Sequence, residues 1–179
     1  MSNSTQFSYR INAEDQITHV SPEWLQFAQE NDAPALTENT VIGSKIWLYI
    51  TGDATRRLYD ELFSSLRRDK TELAFPFNCD SPVLIRNMTL TLRSIGGGSI
   101  EFNCRLNSVQ ERNYVGLFDR RMERREESVR ICSLCRKIHV DGDWVSLSNV
   151  IGRKRWFTSV PLPQLEESVC SSCERISLT

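Results

Sequence analysis

Four of the six cysteines fall into two CxxC pairs, Cys132-Ser-Leu-Cys135 and Cys170-Ser-Ser-Cys173, with 34 residues between them. A CxxC loop sets two thiolates on one tight turn, so each pair offers half of a tetrahedral sulfur site, and two pairs complete the shell that structural zinc prefers. Cys132, Cys135, Cys170 and Cys173 are therefore the expected metal ligands, with structural Zn2+ as the expected cofactor. The interval between the pairs exceeds the about 15–20 residues of many zinc ribbons, which calls for an inserted hairpin or helix. The same residue types permit other chemistry. A CxxC can be a redox-active dithiol, can close as a disulfide, or can hold unrelated buried cysteines. One pair at a helix N-terminus suffices for redox work, so the second, distant pair favours metal. Arg130, Arg136 and Lys137 flank the first pair. They would offset the negative charge of a zinc tetrathiolate and would equally lower the pKa of a reactive thiol, so they do not discriminate. His139, one of only two histidines, is left outside a shell that four sulfurs close and reads as a structural residue on a strand.

The elements that must position these residues begin with a hairpin, Phe7–Asn12 and Ile17–Ser21, around Ala13-Glu14-Asp15. Ser21-Pro22-Glu23 has the form of a helix start, a Ser cap followed by Pro at the first helical position. The helix runs to Asn31 and buries Trp24, Leu25, Phe27 and Ala28. A second helix is predicted between Asp53 and Arg68, where Leu58, Leu62, Phe63 and Leu66 recur at three-to-four-residue spacing. Arg56, Arg57, Asp60, Arg67 and Arg68 form its solvated face.

The apolar period then changes to two. Leu73, Phe75, Phe77 and Cys79 share one face of Glu72–Cys79; Met88, Leu90 and Leu92 share one of Arg86–Ser94; Ile100, Phe102, Cys104 and Leu106 share one of Ile100–Ser108. Strands with one apolar face make an antiparallel sheet that needs helices on that side. Gly96-Gly97-Gly98 supplies the positive-φ positions of a hairpin turn, and Pro76 marks an edge strand or a bulge. Tyr114–Phe118 is read as a further strand. Cys79 and Cys104 fall on the apolar face, where free cysteine packs as a small hydrophobe. The fold class predicted is α+β: a five-stranded antiparallel sheet with flanking helices, plus a small C-terminal zinc-binding module. Residues 1–118 form the first domain, the charged segment 119–130 an exposed linker with a helix as its alternative form, and 131–179 the two-CxxC module.

Composition sets the outer limits. A hydrophobic fraction of 40% and a charged fraction of 25% are those of a water-soluble chain with enough apolar residues for a core. A net charge of −1 excludes a global basic field, so nucleic acid is not an expected partner. A local patch at Arg153-Lys154-Arg155 beside Trp156-Phe157 is the alternative, since aromatic side chains could stack on bases. Met1-Ser-Asn-Ser-Thr5 lacks the order of a signal peptide, and no apolar run approaches a membrane span. A cytoplasmic protein without membrane contact is predicted, and a reducing cytosol favours metal over disulfide.

The order of two strands, a short helix, a further helix and three antiparallel strands resembles a PAS sensory domain. The likeness is carried by Tyr9-Arg-Ile-Asn-Ala-Glu-Asp-Gln-Ile-Thr-His-Val-Ser-Pro-Glu-Trp-Leu25, similar to the opening hairpin and first helix of that family, and by Val41–Ile50, similar to its connection into the next helices. Phe77-Asn-Cys-Asp-Ser-Pro82 and the strand after it resemble a bacterial PAS subgroup in which a cysteine-rich tail follows the sensor. The PAS likeness covers residues 7–118 and the tail 131–175. Ser21 stands where many PAS domains carry asparagine, and Leu134 and Ser171-Ser172 replace residues common in related tails; none of these is a metal ligand. The resemblance implies a sensing or interaction role and frequent dimerisation, with no particular ligand. Asn78-Cys79 is followed by Asp-Ser-Pro, so the light-sensing role of a flavin-binding cysteine is not carried over. No phosphoacceptor histidine box, ATP-binding domain, cyclase motif or helix-turn-helix is evident. The expected protein is a noncatalytic, cytoplasmic signalling or regulatory protein, with a small molecule in the PAS cavity, a homodimer or another protein as partner, and a zinc-stabilised interaction tail. The rivals are a thiol-based redox sensor using the CxxC pairs and nucleic-acid binding through the tail.

Overall fold

Asp15, at φ 61°, turns the chain between β1 (Gln6–Ile11) and β2 (Ile17–Val20). Aspartate tolerates this left-handed conformation better than most residues. Asn12 Oδ1 completes the turn by accepting from the backbone N–H groups of Glu14 and Gln16. The structure, a computed structural model, describes residues 6–31, 33–69, 72–151 and 160–178. Ser21 caps α1 (Pro22–Glu30) as predicted: its backbone is extended, and its Oγ accepts from the Trp24 N–H at 3.2 Å. Ala28 is buried there, with Trp24, Leu25 and Phe27 partly buried against the core. A short helix, α2 (Glu38–Val41), and a 3-10 turn at Ile46–Leu48 lead into α3 (Asp53–Asp69).

The apolar face of α3 buries Leu58, Leu62, Phe63 and Leu66. Arg67 does not join the solvated face. Its guanidinium reaches the Asp15 carboxylate at 2.6 Å and the carbonyls of Gly98 and Asn12 at 2.9 and 3.0 Å, so it ties the helix to two hairpin turns. Three strands complete the first sheet, β3 (Glu72–Asn78), β4 (Leu84–Gly96) and β5 (Ser99–Glu111). Every pairing is antiparallel and the order is β2-β1-β5-β4-β3. Pro76 thus sits on an edge strand, where its missing N–H disrupts least, and Gly96, Gly97 and Gly98 all take positive φ in the β4–β5 turn. The α+β class and the five-stranded antiparallel sheet are as expected.

Rings fill the space between this sheet and α3. Phe63 meets Phe102 edge-on at 5.6 Å between centroids, Tyr9 stacks on Phe102 at 4.3 Å, and Trp47 lies 5.3 Å from Phe63. Each such side chain removes about 150–250 Å² from water, which makes this contact the centre of the apolar core.

The chain after residue 111 differs from its prediction. Tyr114–Phe118 is no strand: Gly116–Phe118 is a 3-10 turn preceded by Val115, and Val115, Gly116 and Leu117 are all buried, three consecutive positions that cannot satisfy a two-residue period. Nor is the charged segment 119–130 a helix or a free linker. Arg124–Cys132 is a strand, β6, of a second sheet. It pairs with β7 (Ile138–Val140) on one side and with β9 (Leu162–Ser168) on the other, and β8 (Asp143–Val145) extends the order to β8-β7-β6-β9. The charges of β6 are tolerated because Val129, Ile131 and Cys132 alone are buried, while the interleaved charged residues lie partly or fully in water. The insertion required between the cysteine pairs is the β7–β8 hairpin followed by α4 (Leu147–Ile151). The chain ends in α5 (Ser171–Glu174) and a 3-10 turn at Arg175–Leu178. Among the described residues no helix is long and apolar enough to cross a membrane.

Val115, Leu117, Val129, Ile131 and Ile138 form a small core under the second sheet. The cysteine region does not belong to it. Cys132, Leu134, Val169 and Cys170 are buried in the same cluster as Leu58, Leu62, Phe75 and Phe102, so the second sheet is packed against the first through its cysteine end.

Candidate metal centre

β6 and β9 run parallel, with Cys132 opposite Ser168. Parallel neighbours that end together deliver their following loops to one place, and here those loops are the two CxxC segments. The first is a tight turn: Cys132 N–H donates to Lys137 O at 2.8 Å and Arg136 N–H to Cys132 O at 3.0 Å, with Arg136 at φ 59°. In the second, Cys170 precedes α5, and the Cys173 N–H donates to Cys170 O at 2.8 Å. Ser133 N–H donates to Ser168 O at 2.8 Å and clips the loops together.

The result is that the sulfurs of Cys132, Cys135, Cys170 and Cys173 all lie within 4.8 Å of one another. Cys135 Sγ and Cys170 Sγ are 3.6 Å apart, and Cys170 N–H points at Cys132 Sγ at 3.4 Å. A tetrahedral zinc with Zn–S bonds of about 2.3 Å needs sulfurs about 3.8 Å apart. Four converging sulfurs and a backbone N–H directed at one of them fit a closed, soft-ligand metal site with modest adjustment.

Proton sharing within the cluster is uneven. Hydrogen bonds from the Cys135 and Cys173 thiols hold Cys132 well below the ordinary thiol range. The bond Cys135 makes to Cys132 pushes Cys135 up to about 11, and bonds to Cys132 and Cys135 drive Cys173 far above its ordinary value. The cluster therefore centres its negative charge on Cys132. That sulfur is wholly buried, with Cys170 1% exposed, so the most acidic thiol is the least accessible to an oxidant or a disulfide partner.

The basic flank is also accounted for. Arg136 Nη1 reaches both Glu167 oxygens at 3.0 and 3.3 Å, and Arg130 donates to His139 Nδ1 at 2.9 Å. His139 lies on β7 edge-on to Trp144, the structural strand position expected of it. Arg153, Lys154, Arg155, Trp156 and Phe157 lie outside the described residues. Cys104 is buried and Cys79 partly buried against the same core. Burial, followed by the neighbouring Cys79, raises Cys104 far above the thiol range; burial also raises Cys79, against the opposing pull of Arg136 and Arg86.

Three residues that the cysteine pattern does not flag dock this centre on α3 and the first sheet. Asn78 N–H, at the end of β3, donates to Leu134 O at 2.6 Å. Thr55 Oγ1 of α3 donates to Ser133 Oγ at 3.0 Å. Gly52, at φ 80°, lies so close to Glu167 that a Cβ there would overlap its backbone carbonyl. A glycine ahead of a helix is the only one of these with a sequence signal, and that signal names no partner.

No family model matches the chain, and no curated protein matches it. Among solved structures it is similar to a domain of an HTR-like protein from Haloarcula marismortui ATCC 43049, at TM-score 0.43 and 11% identity over 59% of this chain and 100% of that one. It is also similar to the photoactive yellow protein domain of the sensor histidine kinase Ppr from Rhodospirillum centenum, at TM-score 0.43 and 9% identity over 56% of this chain and 91% of that one.

Proposed function

We propose that the chain is a noncatalytic, cytoplasmic signalling or regulatory protein in which Zn2+ on Cys132, Cys135, Cys170 and Cys173 locks a second sheet onto a sensory, PAS-like one. The observation that carries this reading is the placement of two of the four cysteines in the apolar core of α3 and the first sheet. A metal there would be folding free energy for the junction, because the ligands are brought together only in the folded state. Its chemistry would be structural: four sulfurs leave no open coordination position for a substrate. Thiol redox sensing draws less support, since Cys132 and Cys170 are shielded from solvent. The sensory part is a surface or cavity for a small molecule or for a protein partner, a second copy of this chain included. A ligand can shift such a protein only by its differential affinity for two states, by about 1–3 kcal/mol in usual cases. The test is thermal stability and oligomeric state of the zinc-loaded protein across a broad set of metabolites and concentrations. A ligand-specific shift in either supports sensing. A monomer with one unchanging melting temperature, and no partner recovered on the immobilised protein, overturns it.

A further inference from the structure

A groove of about 570 Å³ runs along the junction of the two sheets, within the size range of small-molecule sites. Its charged lining is Arg120, Arg124 and Arg136 with Asp80 and Glu167. Both carboxylates are already engaged. Asp80 is held by the nearly buried Arg112 at 3.1 Å, and Glu167 takes Arg136 on both oxygens. Arg124 donates to the carbonyls of Pro163, Leu117 and Asp119 at 2.8–2.9 Å, which fixes its guanidinium. The carboxylate of Asp119, whose carbonyl takes Arg124, is itself bound by Arg121 and Tyr114.

Two donors are left over. Arg120 is exposed and makes no hydrogen bond or ion pair among the described residues. Arg136 Nε is buried and has no hydrogen-bond partner, a state that buried donors rarely keep. Arg120 and Arg136 also line an adjoining recess of about 290 Å³, together with Tyr59 and Phe77. Phe118 and Leu165 supply apolar surface in the groove itself. A guanidinium fork presents parallel N–H donors that match a carboxylate or a phosphate in the plane, and an aromatic or aliphatic body would cover the apolar wall.

We propose that this groove binds a small organic anion, one carboxylate or phosphate group on an apolar body, held by Arg120 and Arg136. The proposal rests on the sensory reading and gives it a site: groove residues come from both sides of the junction, so an anion there favours the docked arrangement of the two sheets. The ring-filled space between α3 and the first sheet is then not where the ligand sits.

The test uses the zinc-loaded full chain, isotope-labelled to show arginine Nε–H signals, titrated with benzoate, phenyl phosphate, inorganic phosphate and the neutral analogue benzyl alcohol. Saturable shifts at Arg136 Nε–H, Phe118 and Leu165 with benzoate or phenyl phosphate are expected, and the tighter of the two identifies the anionic group. Arg120→Gln, which removes an exposed side chain with no hydrogen bond or ion pair among the described residues, should keep zinc and melting temperature and weaken binding about tenfold or more. Silence with all four probes, a response to inorganic phosphate alone, equal response to benzyl alcohol, or affinity unchanged by Arg120→Gln overturns the proposal. Shifts confined to Phe63 and Phe102 also overturn it, while leaving the sensory reading with a ligand inside the first sheet.

Discussion

The backbone N–H of Asn78 donates to the carbonyl of Leu134 at 2.6 Å, so the last residue of β3 is bonded to the middle of the first CxxC loop. The edge of one sheet and the first CxxC turn of the other are thereby one hydrogen-bonded piece.

The two sheets should unfold together. Cys132→Ser removes a buried sulfur from the shared core and a proposed metal ligand at once, and the loss should be read in α3 as well as in β9. In native-state hydrogen exchange of the variant, protection at Leu62, Leu66 and Leu165 is expected to fall in parallel. Protection kept at Leu62 and Leu66 while Leu165 exchanges freely would show two independent units.

Leu134→Ala should cost about 2–5 kcal/mol, the usual range for emptying a buried leucine site, because Leu134 is 2% exposed in the first sheet's core. Zinc stoichiometry should not change, since Leu134 is not a ligand. A loss well under 1 kcal/mol in denaturant unfolding, by the same principle, would place Leu134 outside the core.

Gly52→Ala tests the fit between the start of α3 and β9. The new Cβ would overlap the Glu167 carbonyl and would have to adopt φ near 80°, so the segment must move. A fall in melting temperature is expected together with increased exchange at Glu167 and Leu165. An unchanged melting temperature would mean that the approach at Gly52 is looser than described.

Metal uptake should release protons. Cys135, pushed up to about 11, and Cys173, raised further, carry protons at neutral pH in the free cluster, and zinc binds thiolates. Protons leave on binding, so apparent affinity must rise with pH and fall on acidification. Competition with a chromophoric chelator between pH 6 and 8 reads the slope, and a flat profile would contradict it. Cys79 and Cys104, raised by burial, should resist alkylation at neutral pH until the chain is unfolded.

Local signals in the sequence carry the first sheet well. The Ser21 cap, the helical spacing of Leu58, Leu62 and Leu66, the two-residue period of β3 to β5, the triple-glycine turn and Pro76 on an edge each depend on residues near one another in the chain. The cysteine pairs are equally legible, because a CxxC turn is local chemistry. What brings the pairs together is not. β6 is paired in parallel with β9 across some thirty residues, and its sequence, Arg-Arg-Glu-Glu-Ser-Val-Arg-Ile-Cys, shows charge where the backbone is in a sheet. Only three of its positions are buried, too few for a period to register against the charges. Arg67 and Asp15 are legible as polar residues but not as partners, since their ion pair spans the first hairpin and the far end of α3. The docking of Thr55, Asn78 and Gly52 on the cysteine loops is likewise a property of the assembled core.

A closed zinc site that cements the two sheets is open to zinc-edge X-ray absorption, with metal and free-thiol counts, on protein purified without chelator. A single zinc per chain with four sulfurs at about 2.3 Å is expected, with no thiol that reacts in the native protein. Absence of metal, with the thiols of Cys132, Cys135, Cys170 and Cys173 reactive or joined as disulfides, would contradict it and move the function to the cysteines themselves.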